Sequence, residues 1–278
     1  MLAATEKSAE AQEILLTGPL AGAPAVRKLR LYREGRFEVA PAISFTLLDE
    51  YQRTILFGAR LNYNFTDWLA LGVWGGFGGV KIPTALSDEI QGVNERRGCR
   101  DGNGNITRLD TDCRLTAVNM GPDFKDQLGS LDWVAAPQVT AVPFRGKLAL
   151  FQSIYVDTDL YFFLGPAFVG LSERKECDPG SGTDCSTPDA FKKESRVAIA
   201  PTFGLGFAFY VNKWNAVGFE WRGLPYSWNT GGFDTKGGGK DKEFPDNRIS
   251  ADDQQFRFNQ MLTISYNLYF PQNYRVSE

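Results

Sequence analysis

The sequence predicts an all-β chain: an eight-stranded antiparallel up-and-down barrel of the transmembrane kind, with short turns at one rim and long loops at the other. Three observations carry that expectation. Long stretches alternate apolar with polar residues, connections alternate between tight aromatic turns and long polar loops, and charges share one strand face with small residues. The plainest stretch is 256–270, FRFNQMLTISYNLYF. Phe256, Phe258, Leu262, Ile264, Tyr266, Leu268 and Phe270 fall on one face, interrupted only by Gln260. A period of two is the strand signal. Soluble strands average about five or six residues, whereas a lipid-crossing strand needs about nine to eleven, apolar outward and polar toward the lumen.

Composition narrows the function classes. The chain has 278 residues, 43% hydrophobic and 13% aromatic, with 29 Gly and a net charge of −3. Mean hydropathy is −0.27, and no apolar run reaches the length of a membrane helix. Alternating strands escape that test, because their two faces average out. Histidine is absent, which removes His-based acid–base catalysis, Ser-His-Asp and Cys-His nucleophiles and nearly all zinc sites. No basic motif points to nucleic acid, and no cofactor is expected. Residues 1–12 lack the apolar core of a signal peptide, so the numbering is expected to begin after one was removed.

Taken in order, residues 1–35 read as a flexible, basic periplasmic leader, whose basic run Arg27, Lys28, Arg30 and Arg33 continues into Arg36 at the start of the barrel domain, 36–270. The first strand is expected over 37–47 and the second around 55–65, joined by a short polar link at 49–52. Thr66-Asp67-Trp68 is a tight turn into a third strand. Alternation then stops from 78 to about 131, too long for an ordinary connection, with one or two helical turns around 87–93. A fourth strand, 132–142, carries a central proline, and 143–153 reads as a long connection. The fifth runs 155–169 and the sixth 196–211; Asn212-Lys213-Trp214 repeats the earlier turn. A seventh covers 217–222, a Gly-rich loop fills 223–255, and the last strand closes the barrel domain at 270, leaving an expected periplasmic tail at 271–278.

Charge decides which face is enclosed. The minority face gathers Arg36, Glu38, Arg60, Asp157, Asp159, Arg196, Glu220, Arg222 and Arg257 among Gly and Ala. Small residues make room in a narrow lumen, and charges of mixed sign pair there, since unpaired buried charge is very costly. Tyr63, Phe65, Trp68, Phe209, Trp214 and Phe270 are expected to form an aromatic girdle at the turn rim. An even strand count with short turns at one rim and large loops at the other is the bacterial outer-membrane pattern. Cys99, Cys113, Cys177 and Cys185 lie in two loops; four cysteines allow three pairings, and closeness favours Cys99–Cys113 and Cys177–Cys185. Such bridges fit an oxidising compartment. Between the first pair, Asp101, Asn103, Asn105 and Asp110 resemble the later part of an EF-hand loop, a weak calcium candidate beside the simpler reading of a Gly/Asn-rich turn.

Several segments together carry a resemblance. Gly35-Arg36-Phe37-Glu38, the run LNYNFTDWL at 61–69, Gly146-Lys147-Leu148, and Asp159-Leu160-Tyr161 with Gly165 resemble a myxobacterial and deltaproteobacterial family of outer-membrane β-barrel domains, over about 27–270. The resemblance implies an outer-membrane barrel, with some relatives in envelope-spanning machines. The last strand also resembles the aromatic-ended assembly signal of such barrels, except that PQNYRVSE follows Phe270. The expected role is therefore non-enzymatic: a surface or anchor protein, or a subunit of an envelope-spanning complex. Its expected partners are outer-membrane lipid and lipopolysaccharide, with an envelope protein as a further candidate. The alternatives are a small lipid-modifying enzyme, which would usually place a His or a Ser with a base near the outer rim, and a narrow pore.

Overall fold

The computed structural model describes residues 33–96, 124–150, 154–175, 193–235, 249 and 251–271. Eight strands form one closed sheet in sequence order: β1 (Arg36–Leu47), β2 (Gln52–Asn64), β3 (Leu69–Pro83), β4 (Ser130–Leu150), β5 (Ile154–Arg174), β6 (Lys193–Tyr210), β7 (Asn215–Trp228) and β8 (Gln255–Phe270). Each is antiparallel to the next, and β8 returns to β1 with Phe37 opposite Phe270 and Leu47 opposite Gln260. Closure leaves neither edge of the sheet unpaired. One rim, here the turn end, holds the connections 65–68 and 211–214, the reversal from β4 to β5 and both strand termini of the barrel. At the loop end β1 leads to β2, β3 to β4, β5 to β6 and β7 to β8, with 48–51, 84–96, 124–129 and 229–235 described there.

Local chemistry explains the turns. Asn212 Oδ1 accepts from the backbone N–H of Trp214 (2.8 Å) and Asn215 (2.9 Å), an Asx turn. At the equivalent turn, Thr66 Oγ1 accepts from Leu69 N–H at 3.1 Å. Gly35 has φ of +71°, a left-handed conformation that costs glycine nothing. The reversal there is closed by Arg36 N–H donating to the Arg33 carbonyl at 3.1 Å.

Several boundaries differ from the sequence expectation, most of all in β3, β4, β5 and β7. β7 continues to Trp228, because Gly223 and Pro225 are wall positions rather than turn formers, while Leu224, Tyr226 and Trp228 fill the interior. β4 and β5 run on through most of 143–153 as a paired ribbon, with Leu150 opposite Ile154. That ribbon passes the last partners of its neighbours, Ala141 on the β3 side and Thr158 on the β6 side. β3 extends to Pro83, and a full helix, α1 (Ala85–Arg96), follows it, with a short α2 (Phe124–Gln127) ahead of β4. In β3 the glycines at 75, 76, 78 and 79 hide the alternation. They stand where neighbouring strands approach: a Cβ on Gly78 would meet the Leu131 carbonyl at 2.4 Å.

Candidate functional site: the barrel interior and its wall

The two faces of the sheet are sorted by polarity in the reverse of a soluble protein. Outward positions over 37–47, 55–65, 69–77, 133–141, 160–170, 197–211, 217–225 and 256–270 carry no Asp, Glu, Lys or Arg. Leu164, Ile199 and Phe77 are 62%, 73% and 63% exposed, while Arg222 is fully buried. Gln260, the interruption noted in the last strand, accepts a bond from Trp221 Nε1 on the adjacent strand at 3.0 Å. The wall therefore pairs its one amide with a neighbouring indole, as a hydrocarbon-facing surface requires.

Inside, the turn half of the barrel holds a ladder of ions that alternate in sign. Arg33 reaches Asp159 (3.2 Å) and Glu38 (3.3 Å); Arg60 joins Glu38 (2.8 Å) to Glu220 (2.5 Å); Arg222 then meets Glu220 at 2.6 Å. Neutral groups take up further capacity. Tyr161 Oη accepts from Arg60 at 2.8 Å, and Arg222 donates to Gln138 (2.8 Å) and Thr202 (3.0 Å). The Arg222 guanidinium lies 4.1 Å from the ring centres of both Trp74 and Phe163, where cation–π attraction adds to the ion pair. Arg36 donates instead to backbone carbonyls of Tyr269, Pro271 and Lys213.

Glycine on β6 makes space for the interior rings. Gly206 faces Tyr161 and Gly204 faces Phe163; a Cβ at either would come within 2.3 Å of the opposing ring. The loop half is packed differently, by a cluster including Leu56, Trp74, Leu131, Val169, Tyr226, Trp228 and Met261. Above it, Phe124 and Leu128 pack with Tyr51, Ile90 and Phe233. Side chains thus fill the bore in successive layers, as expected of eight strands.

The sequence-singled charges divide by position. Arg36, Glu38, Arg60, Asp159, Glu220 and Arg222 are buried in the lumen. Asp157 is exposed on the β4–β5 ribbon, because that ribbon stands clear of the barrel. Arg196 and Arg257 sit at the loop-end rim, half-buried, paired with Glu173 and Glu50 at 2.6 Å each. A cavity of about 300 Å³ opens beside the first pair, lined among others by Arg174, Asn229 and Gln254. Beside Arg257, in the β1–β2 link, burial pushes the Asp49 carboxyl up to about 6.

The six girdle aromatics gather at the turn end. Tyr63 contacts Phe37 and Phe65 at 4.8 Å between ring centres, and Trp68 and Trp214 are exposed beside the turns. Cys99, Cys113, Cys177 and Cys185 lie outside the described residues, as do Asp101, Asn103, Asn105 and Asp110. Arg33 entered the site from the segment read as leader; it precedes the first strand, so no alternation could mark it. Tyr210 and Tyr269 also join the ladder, with Tyr210 Oη donating to Asp159 at 2.7 Å.

An apolar wall around an ionic bore defines a class: barrels whose surrounding solvent is hydrocarbon. No protein-family model and no curated protein matches the chain. Among solved structures it is similar to the N-terminal β-barrel domain of Pseudomonas aeruginosa OprF, at 8% identity, TM-score 0.42, covering 85% of this chain and 98% of that one. It is also similar to outer membrane protein OprG of Pseudomonas aeruginosa, at 9% identity, TM-score 0.39, 86% and 97% coverage. Ail, the attachment invasion locus protein of Yersinia pestis, matches at 13% identity, TM-score 0.34, 85% and 99% coverage.

Proposed function

We propose that the protein is an integral barrel of the bacterial outer membrane. In this reading it is a non-enzymatic surface or anchor protein, or the membrane subunit of an envelope-spanning complex. The supporting observation is the uncharged outer belt, which runs round all eight strands while the ion ladder is enclosed. Placing that belt in water would expose a continuous apolar surface far beyond the few hundred Å² that soluble monomers tolerate; in a bilayer it is the surface of lowest cost. The turn end then faces the periplasm and the loop end the exterior, following the usual placement of short turns and long loops. Side chains packed through the bore favour an anchor over a conduit.

The test is expression behind a secretion signal, followed by membrane fractionation and electrophoresis with and without boiling. The reading expects an outer-membrane protein whose mobility shifts on heating. Recovery as a detergent-free soluble monomer would overturn it. In planar bilayers the same barrel is expected to give no large, stable conductance.

A further inference from the structure

The turn-end mouth of the bore is built to receive a guanidinium, and its occupant comes from outside the sheet. Apart from Arg33, Glu38 is oriented by strand residues: Arg60 donates to its Oε1 at 2.8 Å and Asn62 to its Oε2 at 3.3 Å. Asp159 is held the same way, by Tyr210 Oη at 2.7 Å, with Arg145 Nε at 3.8 Å. Between these two oriented carboxylates lies the Arg33 side chain, 4% exposed, with its guanidinium carbon 5.9 Å from the Tyr269 ring centre. Its backbone N–H donates to Asp67 Oδ1 at 3.2 Å. Arg33 belongs to no strand; the turn through Gly35 folds it back into the mouth.

We propose that this mouth is a preformed guanidinium-binding site whose resident ligand is Arg33, so that the chain just ahead of the first strand is latched to the barrel chiefly through that side chain. The carboxylate geometry suits a planar, two-pronged cation better than an ammonium. This goes beyond the membrane reading and does not depend on it.

The test is chemical rescue in the full-length folded protein. Arg33→Ala is expected to lower the unfolding temperature by about 5–10 °C. Millimolar ethylguanidinium should restore most of that loss and ethylammonium should not, and Arg33→Ala/Glu38→Gln should respond to neither. An unchanged unfolding temperature, or equal rescue by both cations, would overturn the proposal. Should Arg33→Ala fail to fold, tryptic cleavage after Arg33 in the wild type decides. It is expected to be at least about tenfold slower in the folded than in the denatured chain, and faster in Glu38→Gln that still runs as a folded band. Equal rates in folded wild type and folded Glu38→Gln would refute the latch.

Discussion

Glu220→Gln tests the ion ladder at the point where it is most closely shared. The wild-type carboxylate takes Arg60 on Oε2 at 2.5 Å and Arg222 on Oε1 at 2.6 Å. An amide of the same size can accept only one of these and turns its NH₂ toward the other guanidinium. Breaking a buried ion pair from one side costs about 3–5 kcal/mol. Arg60 keeps Glu38, and Arg222 keeps Gln138, Thr202 and two aromatic rings, so the lower end, about 3 kcal/mol, is expected. With a urea slope of about 1–3 kcal/mol/M, the unfolding midpoint should fall by roughly 1–3 M. The assay is the loss of the unheated, fast-migrating band across a urea series in detergent. Adding Arg222→Met removes the cation left short of a partner, so the double variant should recover about 2 kcal/mol relative to additivity. An unchanged midpoint for Glu220→Gln, or strict additivity, would refute the account of a coupled interior.

Three further outcomes are expected. Asp49→Asn should stabilise the barrel above pH 6 by about 1–2 kcal/mol and do nothing below about pH 4. The sign follows from a folded-state carboxyl raised from 3.8 to about 6: the folded chain holds the proton longer, so wild-type stability falls as pH rises through that window, which urea midpoints at several pH values would trace. Leu164→Arg, on the wall at 62% exposure, should cost about 2–4 kcal/mol in vesicles; a free energy within about 0.5 kcal/mol of wild type would contradict a lipid-facing wall. Gly206→Ala, whose new methyl would lie 2.3 Å from the Tyr161 ring, should cost about 1–3 kcal/mol, read as a lowered unfolding temperature.

The barrel was legible because its signal is repeated and local. Alternation along β1, β6 and β8 gives strand, face and approximate length at once, and it sorted Glu38, Arg60, Glu220 and Arg222 inward before any fold was known. It failed where a residue means one thing in water and another in a wall. Gly223 and Pro225 read as a loop, yet in β7 they occupy outward positions beside Phe258. Asp157, Arg196 and Arg257 share the inward parity, but parity says nothing about height, and all three lie beyond the enclosed part of the bore. Arg33 had no periodic signal whatever, because it reaches the lumen through a turn. The pairing of Tyr210 with Asp159 likewise depends on which strands become neighbours on closure, which no short window records.

In the proposed setting hydrocarbon, not water, surrounds the sheet. The most direct measurement is nuclear Overhauser transfer in lipid nanodiscs from acyl-chain protons to the methyl groups of Leu164, Ile199 and Ile264, all outward and exposed. Strong transfer from lipid chains and none from water at those three methyls is predicted. Transfer from water there, with lipid contact absent, would contradict it.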